Sequence, residues 1–200
     1  MIPFYRESTG LITASFTAVE AELISSLATQ VAGLLGSVAA RSDDPELAGT
    51  GIGGSTERDD DPAIARLLPN AYNDDTDASR EFRQLTERGL ASRKIDNAVA
   101  LLHSLAPIAA ATAGLASESD DDEQQIELDD PAALAWMRAL TDIRLTIAAR
   151  LGLVADNDVI DEDDEQSVVL LDVYSWLGAV AESLVQAVDT DPLSADWPDQ

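Results

Sequence analysis

The 200-residue chain has no cysteine, one histidine and one lysine. Without thiols it can form no disulfide, no thiolate zinc site and no cysteine-held iron–sulfur cluster. Aromatic residues are 4%, and 12 basic side chains stand against 38 acidic ones, giving a net charge of −26. A field of that sign repels nucleic-acid phosphate and anionic lipid, so neither nucleic acid nor membrane is expected as a partner. No basic segment followed by an apolar run opens the chain, since Met1–Arg6 leads into Glu7, Ser8 and Thr9, and a cytoplasmic location is expected. The weakly apolar stretch Ala98–Ala116 is interrupted by His103, Ser104, Pro107 and Thr112 and reads as too polar to span a bilayer.

What the chain has in quantity is alanine, 32 residues, and acid. Abundant small residues with few aromatics suit closely packed helices better than stacked sheets. The acid is uneven: 26 of the 38 carboxylates lie in Asp43–Asp61, Glu118–Asp130, Asp156–Glu165 and Asp189–Asp199. This divides residues 1–200 into one helical domain with a hairpin at 1–16, an acidic glycine-containing loop at 42–60, acidic loops at 117–129 and 155–166, and a flexible tail at 190–200. A chain of this length buries about 70% of its unfolded surface, enough for a core.

The hairpin rests on two apolar–polar runs, Ile2–Glu7 and Leu11–Phe16, joined at Thr9-Gly10. Thr17 and Glu20 have capping-box spacing and open a first helix with an apolar stripe of Val19, Leu23, Leu27, Val31, Leu34, Leu35 and Val38. Asp61-Pro62 starts a short second helix that Pro69 stops. Thr76–Ala106 carries the longest helical pattern, with a kink or break at Gly89 and an end at Pro107. Gln125–Leu128 alternates as a strand would and is able to join the hairpin. Asp130-Pro131 opens a helix to Leu151 that Gly152 stops, and the last helix runs from about Gln166 to Val188 on a stripe that includes Val169, Val173, Trp176, Leu177 and Val180. The expected fold is therefore mainly α, a single helical bundle of four or five helices with a small N-terminal β-hairpin.

Signals for chemistry are weak. Gly49–Gly54 matches G-x-G-x-x-G, but no strand leads into it, no helix leaves it, and Asp43, Asp44 and Asp59–Asp61 surround the phosphate position, so no cofactor is expected. The run Asp156–Glu165 offers hard oxygen ligands for Ca²⁺ or Mg²⁺, yet Asp161 occupies the place of the obligatory glycine, and a solvated charge run is the better reading; no metal is expected. His103 falls on the apolar half of its helix without a carboxylate nearby and reads as structural. No G-x-S-x-G elbow occurs. The scarce positive charge is clustered instead: Arg66, Arg80, Arg83, Arg88, Arg93 and Lys94 lie within 29 positions, and Arg138, Arg144 and Arg150 share another helix. Spacings such as Arg83/Glu87 and Arg138/Asp142 fit helical ion pairs. The same strip is also where an anionic partner would meet least repulsion, because residues 66–97 carry six basic and six acidic side chains.

Asp61–Tyr72, Glu81–Thr86, Arg93-Lys94 and Asn97, taken with Trp136–Leu145 and Tyr174–Gly178, form a combined pattern that resembles the actinobacterial domain of unknown function family twenty-seventeen, over nearly the whole chain. The resemblance implies no assigned activity and no catalytic residues. It implies genes often placed beside a Clp protease adaptor and near a JAB-type metallopeptidase and a sulfur-carrier protein of cysteine synthesis. A non-catalytic cytoplasmic accessory or interaction protein of regulated proteolysis or sulfur transfer is the resulting expectation. The alternative is a small enzyme or anion-binding protein using an Arg/Asp pocket. Either way the binding residues expected are Arg80, Arg83, Arg93, Lys94, Asn97, Arg138, Asp142 and Arg144, with no catalytic residue named. A protein partner is expected, and the tryptophans and alanine-rich faces of the last two helices add weak self-association, strengthened by salt.

Overall fold

The computed structural model describes residues 1–40, 60–72, 75–114, 123–153 and 164–190, with the backbone alone at 110–114. The loop at 42–60 with its glycine motif, most of the acidic loops and nearly all of the tail lie outside the described residues.

Two strands come first, β1 (Ile2–Arg6) and β2 (Ile12–Phe16), paired antiparallel with a register shift between Ile2 and Tyr5. Gly10 turns the hairpin at φ 89°, a conformation costly for any side chain with a Cβ. Thr17 then starts α1 (Ala18–Ala39) through a complete capping box: its hydroxyl accepts from the Glu20 amide while the Glu20 carboxylate accepts from the Thr17 amide. Asp61 caps α2 (Pro62–Leu67) by accepting from the Ala63 amide.

The next helix, α3 (Thr76–Gly114), runs through Pro107 rather than ending there. Proline removes one backbone hydrogen bond and crowds the preceding turn. Leu105 and Ile108, both about 1% exposed, anchor the turn to the core on either side of it, so burial outweighs the local cost. The stretch 117–129 is not all loop, and the strand expected at Gln125–Leu128 is present. Gln124–Leu128 forms β3, which pairs antiparallel with β2 and completes a sheet of order β1-β2-β3. Asp129, one residue earlier than the sequence reading, caps α4 (Asp130–Arg150) by accepting from the Ala132 amide. The helix ends in a Schellman motif, with Gly152 at φ 72° and the Gly152 and Leu153 amides donating back to Ala149 and Ala148. Last comes α5 (Glu165–Asp189), capped by Asp164.

One face of the sheet, through Phe4, Phe16 and Ile126, packs on Trp136 of α4 at the centre of the hydrophobic core. Around it α1 lies on α3, α4 lies between α3 and α5, and α5 also crosses β1. Arg6 ties that last contact: its guanidinium donates to the carbonyls of Ala187 and Val188 at the C-terminal end of α5, and to Asp130. A cation suits those free carbonyls and the negative end of the helix dipole.

Two stripes differ from their sequence reading. In α1 the fully buried positions are Ala21, Ile24, Ala28, Val31, Leu35 and Val38, and Val19 is 62% exposed. In α5 burial begins only at Leu177, and Val169 is 61% exposed. His103 is exposed as well, and not on a buried face. Both α1 and α5 are long and apolar enough to cross a membrane by length and composition, more so than the stretch Ala98–Ala116 singled out from sequence.

Candidate functional site

Helix α4 distributes the expected site residues in different directions. Positions 142 and 144 are separated by about 200° around a helix, so they cannot face one pocket. Asp142 faces α3 and is 4% exposed, where its Oδ1 accepts from the Lys94 ammonium. Its other oxygen, Oδ2, has no hydrogen-bond partner among the described residues. Burial pushes the Asp142 pKa up, and the hydrogen bond and charge of Lys94 pull part of the way back. The sequence reading paired Asp142 with Arg138 one turn before it. Arg138 is instead exposed, and the pair that forms joins two helices.

Arg144 faces the other way. Its guanidinium lies over the Tyr174 ring, 4.5 Å from the centroid, a cation–π contact between α4 and α5. Gly178 makes the room: a Cβ there would stand 3.3 Å from the Arg144 Nη2. Two of the sequence segments that carry the family pattern, Trp136–Leu145 and Tyr174–Gly178, thus meet through Arg144, Tyr174 and Gly178. The Arg144 Nε and the Trp136 Nε1 are buried without a hydrogen-bond partner among the described residues.

On α3, Arg80 pairs with Asp77 at 2.7 Å and Arg83 donates to Asn70 at 3.0 Å, which holds the segment after α2 against the start of α3. Arg93 is exposed and Asn97 half-buried. The eight expected residues are therefore spread over one long helix and two faces of another. Lys94 and Asp142 are brought together, and Arg144 is used in packing. Structural roles that sequence reasoning missed belong to Arg6, at the end of α5, to Arg66, which donates to the Leu153 carbonyl, and to Arg150, which binds the Asp61 carboxylate at 2.8 Å. Arg150 and the Ala63 amide hold the Asp61 carboxyl below the usual carboxylate range. These contacts span at least 87 positions in sequence, beyond the reach of any spacing rule.

The open apolar surface lies elsewhere, between α1 and α5. One cavity of about 270 Å³ is lined by Val19, Glu20 and Leu23 of α1 and Asp172, Val173 and Trp176 of α5. A second, of about 230 Å³, is lined by Leu27, Gln30, Val31 and Leu34 of α1, Leu170 of α5, and Ile143, Thr146, Ile147 and Arg150 of α4. Rising residue numbers on α1 match falling numbers on α5, so the two helices run antiparallel along the sides with α4 beneath. Helices α1 and α5 carry Glu20, Glu22, Glu165, Asp172, Glu182 and Asp189, and neither has a basic residue. Among the described residues no group of three or more His, Asp or Glu side chains is arranged to hold a metal ion.

No solved structure matches the chain. A protein of Mycobacterium leprae (strain TN) named "Putative oxidative stress regulator AosR" is 32% identical over 160 residues, which are 70% of this chain and 64% of that protein. The chain thus spans a little less than two thirds of that relative's length. A family model matches residues 1–188, nearly the full length, and the chain belongs to that family, described as Domain of unknown function (DUF2017).

Proposed function

We propose that this protein is a non-catalytic regulatory or accessory protein that works by holding another protein. The observation that carries the reading is the apolar surface between α1 and α5, which includes Val19 at 62% exposure beside Leu23, Val173 and Trp176. Contiguous apolar surface on a soluble chain marks a contact site more often than isolated exposed residues do. Three of the polar groups that would otherwise serve chemistry are tied up in structure: Lys94 on Asp142, Arg144 on Tyr174, Arg83 on Asn70.

A role in an oxidant response is drawn from the relative's printed name. This chain has no cysteine and thus no thiol of its own to oxidise, which leaves its two methionines, the partner it binds or its own abundance as routes for an oxidant signal. Regulated proteolysis or sulfur transfer, the setting implied by the family's gene neighbourhood, is the finer assignment we favour for that partner. Deleting the gene in its source organism and challenging the strain with hydrogen peroxide tests the reading. Survival should fall and be restored by the full chain. A deletion strain indistinguishable from its parent under oxidant overturns it.

A further inference from the structure

We infer that the trough between α1 and α5 is the seat of a cationic amphipathic helix supplied by a partner protein. The inference rests on the binding role proposed above and adds the surface and the chemistry of what it takes. The two cavities follow one another along α1, which advances 15 residues from Val19 to Leu34, about 22 Å at 1.5 Å per residue, while α5 lines them from Leu170 to Trp176, about 9 Å, so a docked helix meets α5 over its first turns and α1 and α4 beyond. The floor and walls are mostly aliphatic or tryptophan side chains, with Gln30, Thr146 and Arg150 among them in the second cavity, a surface that a helix with apolar residues at i, i+3, i+4 and i+7 fills. The rim decides the sign of the occupant. Glu20 and Asp172 line the trough itself, and every charged residue of the two flanking helices is acidic. Among the described residues the cations nearby are already bound, Arg150 to Asp61 and the Met1 ammonium to Glu20, so Asp172 and the further acids of α1 and α5 carry the rim's negative charge.

Charge therefore separates the candidate occupants. A second copy brings another −26 to an acidic rim. The chain's own stretches at 42–60, 117–129, 155–166 and 190–200 are acidic and are repelled in the same way. Anionic lipid meets the same opposition. A helix flanked by lysine or arginine gains from the rim while burying its apolar face, and complementary charge of this kind governs partner choice and association rate.

The test uses the full chain and three synthetic 18-residue peptides followed by fluorescence anisotropy. The first carries leucine at helical spacing with lysine flanks, the second has glutamate in place of lysine, and the third is a scramble of the first. The lysine peptide should bind at least about tenfold more tightly than either of the others. Val19→Gln/Leu23→Gln should abolish that binding with an unchanged circular dichroism spectrum. Asp172→Lys, on an exposed residue, should weaken the lysine peptide and strengthen the glutamate peptide, a reversal that loss of folding cannot produce.

Equal binding of the scramble reduces the effect to bulk charge and overturns the inference. So does a homodimer in sedimentation that Val19→Gln/Leu23→Gln dissolves, or binding of zwitterionic lipid vesicles that the same variant loses. If that variant loses the peptide yet still restores peroxide survival to the deletion strain, the trough is not the working surface. The regulatory reading then stands without it.

Discussion

Replacing Lys94 with methionine keeps the length of the side chain and removes the one hydrogen bond that, among the described residues, reaches a carboxylate 4% exposed. Opposite charges about 4 Å apart attract by ~4 kcal/mol at an effective dielectric of about 20. Removing one partner of a buried pair costs ~3–5 kcal/mol, because the other charge stays buried and uncompensated. Lys94 keeps 24% of its side chain in water, so the lower end, about 3 kcal/mol, is expected at pH 7.5, or a fall of about 6–12 °C in Tm for a chain of this size. Burial already raises the Asp142 pKa above its ordinary 3.8, and loss of Lys94 raises it further. A raised carboxyl favours folding while it holds its proton, and that contribution disappears as pH rises through the folded-state pKa. Relative to wild type at the same pH, Lys94→Met should therefore be least damaging in acid and most damaging at neutral pH. Adding Asp142→Leu removes the stranded charge, and the double variant should return to within about 1 kcal/mol of wild type. Thermal unfolding followed at 222 nm, at pH 5 and pH 7.5, measures all four members of the cycle. A Lys94→Met variant within about 0.5 kcal/mol of wild type at pH 7.5, or a double variant equal to the sum of the singles, refutes the argument that this pair is a coupled interior strut.

Trp136→Ala should cost about 4 kcal/mol in chemical denaturation, since it empties the centre of the Phe4–Phe16–Trp136 cluster, and a loss under 2 kcal/mol would mean the core collapses around it. Pro107→Ala, at an exposed position inside α3, should stabilise by up to about 3 kcal/mol by restoring a helical hydrogen bond; a loss of stability would show that the turn at Pro107 is required. Asp61→Ala should cost about 1 kcal/mol at pH 7 through loss of the α2 cap. Because the Asp61 pKa is lowered, that stabilisation is present above the ordinary carboxylate range and lost as pH falls through the folded value, so variant and wild type should converge in acid titrations.

Local chemistry was legible wherever one turn of chain decides the outcome. Thr17 with Glu20, Asp61 before Pro62, and Gly10 and Gly152 at positive φ mark their element boundaries because each satisfies a free backbone group or a backbone angle within four residues. Even there, Asp129 displaced Asp130 as the cap, since two adjacent aspartates offer the same oxygen and the helix takes the one whose backbone is already extended. The direction of a charged side chain was not legible. Arg138 and Asp142 have ideal helical spacing, yet α3 passes close enough for Lys94 to bind Asp142, and a contact between helices displaces one along a helix when the carboxylate is buried. The candidate site suffered more from this than the fold, because a list of arginines says nothing about which neighbour each one meets.

Composition and periodicity by themselves determined a helical, acidic chain without thiols, with its hairpin and most of its helix ends, because those depend on side chains a few positions apart. Only the tertiary structure decided that Pro107 stays within a helix and that Val19 and Val169 remain in water. An apolar stripe records which face of a helix avoids water. Which part of that face finds a neighbour depends on where the other helices pass, and between α1 and α5 none of the described ones covers it.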